Sequence, residues 1–199
     1  MTDCDIAIFG AGIAGASLAW RLADHARVLL LECEAQPGYH STGRSAALFL
    51  ESYGPPAVRA LTRASRAFYQ QPPAGFADSP LIQPRGALYL AGPQQQALLD
   101  RLRHELAPTC PGLVTLDAAQ ILARVPCLRP EQVLAGLYHG SAEDMDVHAI
   151  RQGFLRGFLQ RGRAAGSALR TNARVVGARR EGPRWQLQFA DGQTVQAAT

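Results

Sequence analysis

The N-terminal part of the chain alternates between apolar runs and a turn of small residues. Asp5–Phe9 and Val28–Leu31 are short apolar runs that predict two buried strands, and the second strand ends at Glu32. Between them, the glycine-containing segment 10–15 predicts a turn and residues 16–25 predict a helix. Strand, turn, helix and strand in this order predict one βαβ unit of a parallel sheet, with the right-handed crossover that such units adopt.

The remainder of the chain predicts helices and strands in a mixed order. A helix is predicted over 57–71 because five apolar side chains recur on one side of it: Val58, Leu61, Ala64, Ala67 and Phe68. Further helices are predicted over 94–106, 117–124 and 146–163. Strands are predicted over 81–91 with a break at Pro84 and Gly86, over 133–139, and from residue 169 onward with a hairpin at Asp191-Gly192. Together these elements predict an α/β fold.

The turn after the first strand carries the motif GxGxxG, formed by Gly10, Gly12 and Gly15. In such a motif the first glycine allows the tight turn, the second lets a pyrophosphate approach the backbone, and the third lets helix and sheet pack closely. The helix N-terminus then offers N–H groups and partial positive charge to the phosphate. Glu32 lies 22 residues after Gly10, where an acid accepts hydrogen bonds from a ribose. We therefore predict a dinucleotide site, which the motif alone leaves open between NAD and FAD.

The composition is that of a folded protein with one domain, or with one large domain and a small second lobe. The chain has 199 residues, of which 47% are hydrophobic and 18% charged, so disorder is not expected. No apolar run is long enough to span a bilayer, and the acidic start lacks the layout of a secretory signal. We expect a cytoplasmic protein with no integral membrane segment, or one peripheral to the inner membrane.

Charge and cysteine usage point to no further chemistry. The net charge is +4, and every basic residue is arginine, with a cluster between residues 161 and 184. That cluster is compatible with nucleic acid, but the solvated faces of a helix and a hairpin explain it better, so we predict no nucleic-acid partner. The four cysteines show no CxxC or Cys/His spacing typical of zinc, so we predict no metal site.

The loop after Glu32 decides between the two dinucleotides. Residues 37–47 read Pro-Gly-Tyr-His-Ser-Thr-Gly-Arg-Ser-Ala-Ala. In this position the segment resembles the D-amino acid oxidase family of flavoproteins, which includes glycine oxidase and the bacterial D-amino acid dehydrogenases. The resemblance continues through Tyr53-Gly54-Pro55, 58–62 and 72–76, and it points to the branch of the catabolic D-arginine dehydrogenases. It is strongest over residues 5–76, looser over 81–140 and moderate over 141–199.

The resemblance implies FAD as the cofactor, and an α/β fold with a Rossmann-like FAD-binding domain (GR2-type) and part of an inserted α+β substrate domain. Residues 1–80 and 141–199 would form the FAD-binding domain, incomplete here, and 81–140 part of the substrate-binding domain. The residues implied to bind FAD are Gly10, Gly12, Ile13, Ala14, Gly15, Glu32, Cys33, Ser41, Thr42, Gly43, Arg44, Ser45, Ala46, Leu48 and Val175. Of these, residues 41–46 would line the flavin side, and the position of Val175 is one whose backbone contacts adenine.

The reaction that the resemblance implies is oxidation of a D-amino acid or a similar small amine, by hydride transfer to flavin N5 and hydrolysis of the imino acid. Tyr53 matches a mobile tyrosine over the active site, so it is the implied catalytic and substrate-binding residue. Leu48 and Leu50 stand where the arginine-active branch has His and Thr, and Ala87 stands where that branch has an acid. Since a buried guanidinium needs a charged partner, we expect the Ala87 pocket to prefer neutral or apolar amino acids to D-arginine. The electron acceptor stays open between oxygen and a quinone.

Proteins of this family are considerably longer than this chain. The segments that follow residue 199 in relatives include a strand that returns to the flavin domain, so we expect a truncated or frameshifted chain. Loss of that strand would leave an exposed apolar edge on the parallel sheet. Two alternatives to the oxidoreductase stay open. One is a non-catalytic dinucleotide-binding fragment, and the other is an NAD(P)-dependent dehydrogenase, against which the loop 41–47 argues.

Overall fold

Residues 3–110 and 112–199, which the computed structural model describes, form twelve strands, five α-helices and one short 3-10 helix, Pro130–Gln132. The strands are β1 (Ile6–Phe9), β2 (Val28–Leu31), β3 (Leu48–Phe49), β4 (Ile82–Pro84), β5 (Ala87–Ala91), β6 (Leu113–Asp117), β7 (Ala135–His139), β8 (Glu143–Met145), β9 (Ala168–Arg170), β10 (Val175–Glu181), β11 (Arg184–Phe189) and β12 (Thr194–Ala197). The helices are α1 (Ile13–Leu22), α2 (Pro56–Gln70), α3 (Gln96–Leu106), α4 (Ala118–Arg124) and α5 (Val147–Arg161).

These elements divide into two compact units. Unit 1 comprises Met1–Ala46, Pro72–Leu81 and Asp146–Thr199, and unit 2 comprises Ala47–Gln71 and Ile82–Met145. The chain therefore leaves unit 1 and later returns to it, which is the nested order of the predicted domains. The bounds differ at residues 47–71 and 141–145, because β3 and β8 pair with each other and lie in unit 2, and also at residue 81, which lies in unit 1.

Unit 1 is built on a parallel sheet in the order β1-β2-β9. Ile6 pairs with Val28 in this sheet, so the predicted βαβ unit forms. Helices α1 and α5 pack together, with the rings of Trp20 and Phe154 edge to face at a centroid distance of 5.4 Å. Gly157 lies directly against the Trp20 indole, where a larger residue would force the two helices apart.

An antiparallel sheet in the order β10-β11-β12 completes unit 1. The two sheets of the unit share one hydrophobic core, because Leu31 of the parallel sheet is buried among side chains of the antiparallel one: Leu187, Phe189 and Val195. This shared core fixes the start of β10 near the carboxyl end of β2, where the sequence predicts the ribose-binding acid.

The edge of β1 is covered over part of its length. The Ala7 N–H donates to the Thr199 carbonyl at 2.8 Å, and the Thr199 N–H donates to the Asp5 carbonyl at 2.9 Å. The last residues of the chain thus lie beside the beginning of β1. The expected exposed edge is therefore wrong for the start of this strand, while Phe9 at its end is 58% exposed.

Unit 2 contains two antiparallel sheets, in the orders β5-β7-β6 and β3-β8-β4. As predicted, residues 81–91 form two strands separated near Pro84 and Gly86. Leu137 in the central strand β7 is buried with residues of β5 and α3, and Ile121 of α4 is buried against residues of β6. The sheet of β5, β7 and β6 is therefore covered by the helices α3 and α4.

Helix α2 buries a different side from the one that shows apolar periodicity. Val58 is 41% and Leu61 69% exposed, whereas Arg59 is only 5% exposed. The Arg59 guanidinium donates to Glu105 Oε1 at 2.8 Å, which gives the buried charge a partner. The pattern therefore locates this helix correctly but does not indicate which side of it packs.

Candidate cofactor and substrate site

The turn between β1 and α1 has the close contacts that a GxGxxG motif provides. Gly10 has a φ of +90°, a conformation that L side chains rarely adopt, and its N–H donates to the Leu31 carbonyl at the end of β2. A Cβ on Gly15 would collide with the Gly10 carbonyl oxygen. The glycines therefore bring backbone without side chains to the N-terminus of α1, where N–H groups and the helix dipole favour an anion.

Glu32 is fixed directly beside this turn. Its Oε2 accepts a hydrogen bond from the Ala11 N–H at 2.9 Å, and its Oε1 accepts one from the Glu34 N–H at 3.1 Å. Burial by itself raises the pKa of the Glu32 carboxyl, but these N–H groups and Cys33 lower it more, so the pKa lies below its ordinary value. An ionised acceptor is thus held at the carboxyl end of β2, as a ribose-binding acid requires.

The loop implied to line the flavin lies across the start of α1. Thr42 Oγ1 accepts a hydrogen bond from the Ile13 N–H at 3.0 Å, and Gly12 faces the same hydroxyl with no side chain between. The remaining loop residues implied to contact FAD are exposed: Ser41, Gly43, Arg44, Ser45 and Ala46. The sequence motif and the loop, which are separate in the chain, therefore come together in unit 1.

Val175 also lies near this place. The Ala173 N–H donates to the Glu32 carbonyl at 2.8 Å, so the segment before β10 is attached to the end of β2. Val175 follows two residues later, is partly buried and packs in the core that includes Leu31. Among the residues implied to bind FAD, only Leu48 belongs to unit 2.

The residues implied to contact substrate lie in unit 2. Ala87 opens β5 and pairs across the sheet with His139, the last residue of β7. Tyr53 lies in the connection between β3 and α2, and its side chain is 69% exposed. His139 Nδ1 and Ser52 Oγ are hydrogen-bonded at 2.7 Å, so Ala87 and Tyr53 both neighbour one buried polar pair.

Sequence reasoning missed this polar network. His139 Nε2 is hydrogen-bonded to Ser141 Oγ at 2.9 Å, and Ser52 Oγ to the Tyr89 hydroxyl at 2.8 Å. Burial, the largest effect, lowers the pKa of His139, Arg66 lowers it further and Glu51 raises it, so the imidazole is neutral at neutral pH. A histidine outside any motif carries no local signal, and only the tertiary fold brings His139 to Ser52.

A second group of polar side chains holds the segment between β3 and α2, which carries Tyr53. Arg66 of α2 donates from Nε to Glu51 at 2.7 Å and from Nη1 to Glu143 of β8 at 2.5 Å. Glu51 and Ser52, the two residues before Tyr53, are thus both held by side-chain hydrogen bonds. The backbone that carries Tyr53 is therefore anchored, although the tyrosine side chain itself extends into solvent.

A parallel βαβ unit with a bare glycine turn, an ionised acid beside it and a polar loop over the helix start defines a dinucleotide-binding protein. The particular family follows from comparison: residues 5–199 match the family of FAD dependent oxidoreductases known as DAO. The chain belongs to this family, which confirms the resemblance, the predicted fold class and FAD as the cofactor. The NAD(P) alternative is correspondingly not supported.

Solved structures of similar fold agree with this assignment. L-α-glycerophosphate oxidase from Mycoplasma pneumoniae, solved with FAD bound, matches with a TM-score of 0.82 at 15% identity, over 100% of this chain and 53% of that one. Glycine oxidase from Geobacillus kaustophilus has a TM-score of 0.81 at 18% identity, over 100% of this chain and 54% of that one. L-Proline dehydrogenase from P. horikoshii has a TM-score of 0.77 at 18% identity, over 98% and 51%.

The chain spans about half the length of each of these proteins. Within residues 3–110 and 112–199, no helix combines the length and the apolar character needed to cross a bilayer. The individual contacts that the sequence implies for FAD and substrate remain predictions, and the geometry above is compatible with those in unit 1.

Proposed function

We propose that the protein oxidises the CH–NH bond of a D-amino acid or a related small amine, as an FAD-dependent dehydrogenase or oxidase. The observation that carries the proposal is the ionised Glu32 beside a bare glycine turn, inside the residues that match the FAD dependent oxidoreductases. Two of the proteins with a similar fold act by name on amino acids, glycine and L-proline, which favours an amino acid as substrate.

The chain's own residues would hold FAD at three places. The Glu32 carboxylate would accept the ribose hydroxyl hydrogen bonds, since its two oxygens have acceptor capacity beyond Ala11 and Glu34. The start of α1 would bind the pyrophosphate, and the loop 41–46 would contact the flavin side. Bound FAD supplies the acceptor for the hydride that leaves the α-carbon, and the imino acid then hydrolyses to a keto acid and ammonia.

The substrate preference follows from charge. Ala87 pairs with His139, which is neutral at neutral pH, so neither residue offers a negative partner for a cationic side chain. The nearby carboxylates of Glu51 and Glu143 are already paired with Arg66. A guanidinium placed here would lose its hydration without a counter-charge, whereas a neutral side chain would not. We therefore expect neutral or apolar D-amino acids to be preferred to D-arginine.

The test is visible spectroscopy of the purified chain, followed by release and identification of the cofactor. We expect stoichiometric FAD that D-alanine or D-leucine bleaches anaerobically faster than D-arginine does. Replacing Tyr53 by Phe should slow bleaching without changing the FAD content. Yellow protein that no D-amino acid bleaches would support the binding-only alternative, and faster bleaching by L-amino acids would overturn the D-specific proposal.

A further inference from the structure

Three side chains of different chemistry meet at the turn that follows β2. Glu34 Oε1 lies 2.9 Å from His40 Nε2 and 3.8 Å from Cys33 Sγ. All three atoms lie within 4.8 Å of one another. We propose that Cys33, Glu34 and His40 form a binding site for a zinc-type divalent cation. The site borders the proposed cofactor site, since Cys33 is among the residues implied to bind FAD and its thiol contacts Glu32.

The distances fit a tetrahedral ion. With Zn–S of about 2.3 Å and Zn–N and Zn–O of about 2.0–2.2 Å, the ligand atoms of a tetrahedral site lie about 3.4–3.6 Å apart. The Glu34–His40 pair at 2.9 Å must open slightly, and the Cys33–Glu34 pair at 3.8 Å must close slightly. Both changes are within reach of side-chain rotation, because Cys33 and His40 are exposed.

Hydrogen bonds hold the backbone of the segments that carry Glu34 and His40. The Glu34 N–H donates to Glu32 at 3.1 Å, and the Asn172 N–H donates to the Glu34 carbonyl at 3.0 Å. His40 is fixed in the loop by a hydrogen bond from the Arg44 N–H to its carbonyl at 3.2 Å, and by the edge of the Tyr39 ring. Preorganisation of this kind reduces the entropy lost on binding.

The donor set indicates the class of metal. One thiolate, one imidazole and one carboxylate suit zinc and neighbouring transition metals, whereas Mg²⁺ and Ca²⁺ prefer sites made of oxygen ligands. Glu32 lies close behind, and its Oε1 accepts a hydrogen bond from the Cys33 thiol at 3.4 Å, so this bond must open and the thiol proton must leave when an ion binds. Three protein ligands leave the fourth tetrahedral position to water. The spacing Cys-Glu-x5-His matches no zinc motif, so the sequence predicted no metal site.

Cobalt and zinc titrations test the site directly on the protein as purified. Bound Co²⁺ should give the intense d–d bands of a tetrahedral site, which lie at longer wavelength than the flavin absorption. It should also give a thiolate-to-metal charge-transfer band, which is read from the difference spectrum with and without Co²⁺. Zinc should then displace it at one equivalent per chain, as measured against a chromophoric chelator.

Matched variants assign the ligands. Cys33→Ser and His40→Gln should each lower the zinc affinity more than about 10-fold, since even changes behind the ligands cost 10–100-fold in established sites. Cys127→Ser and His104→Gln change an exposed cysteine and an exposed histidine away from the cluster, and should leave the affinity unchanged. Equal affinity in parent and Cys33→Ser protein, with unchanged far-ultraviolet circular dichroism, would overturn the proposal, as would an equal loss in Cys127→Ser.

Discussion

At the scale of single residues, the tightest point of the cofactor turn is Gly15. A side chain here would meet the Gly10 carbonyl and the Ile8 side chain, so Gly15→Val must displace α1 from the sheet. We expect a loss of about 1–3 kcal/mol in the free energy of unfolding, as for other overpacked sites, together with loss of bound FAD. Urea unfolding and the flavin absorbance per chain measure both.

The matched control for this change is Gly177→Val. Position 177 lies in β10, and a Cβ there would make only ordinary contacts at 3.7 Å or more. A β-branched residue also suits a strand. If both variants retained FAD equally, the glycine turn would not be the binding element.

The buried His139 makes a prediction about pH. Its pKa is lowered in the folded protein because burial disfavours the charged imidazolium. The unfolded chain therefore takes up the proton first as the pH falls below about 6.5, and the stability declines until the folded-state pKa is passed. We expect His139→Gln to reduce the slope of the free energy of unfolding against pH. The reduction corresponds to at most one proton, which is about 1.4 kcal/mol per pH unit.

Urea unfolding between pH 7.5 and pH 5 measures that slope. His104→Gln is the control because His104 is exposed, and it should keep the slope of the parent protein. A parallel decline in His139→Gln and parent protein would show that other groups cause the pH dependence.

At the scale of elements, α5 depends on the cap at its N-terminus. The Asp146 carboxylate accepts a hydrogen bond from the Ala149 N–H at 2.8 Å, which satisfies one of the free donors of the first turn. Asp146→Ala should cost about 1 kcal/mol in the free energy of unfolding, and Asp146→Asn much less, because Asn caps nearly as well. Equal urea midpoints for the two variants would contradict a capping role.

An element is predictable from the sequence when the residues that determine it lie within one segment of the chain. The βαβ unit and the capped helix α5 are recognised because their periodicity, glycines and cap lie within one segment. The strands β3, β6 and β8 were missed, since two of them are only two or three residues long and all three exist through partners distant in the chain. The buried side of α2 was likewise hidden, because it depends on the pairing of Arg59 with Glu105.

The residues of the candidate site likewise fall into those that a local motif identifies and those that only the fold brings together. Gly10, Gly15 and Glu32 are found from one local motif, and the structure places the acid beside the turn as that motif requires. The hydrogen bond between His139 and Ser52 joins residues 87 positions apart, so no local pattern could reveal it. The cluster of Cys33, Glu34 and His40 is close in sequence, but it forms only because the loop folds back on the end of β2.

At the scale of the whole molecule, the two units should respond differently to FAD. Nearly all residues implied to bind FAD lie in unit 1, so ligand binding should stabilise that unit first. FAD at about 100 times its Kd adds about 2.7 kcal/mol to the stability of a body that binds it only when folded. Hydrogen exchange should therefore slow most in residues 10–15, 32–46 and 172–175, and least in the strand Ala135–His139 of unit 2. Equal slowing in both units would contradict this expectation, because it would show that FAD stabilises the entire chain as one cooperative body.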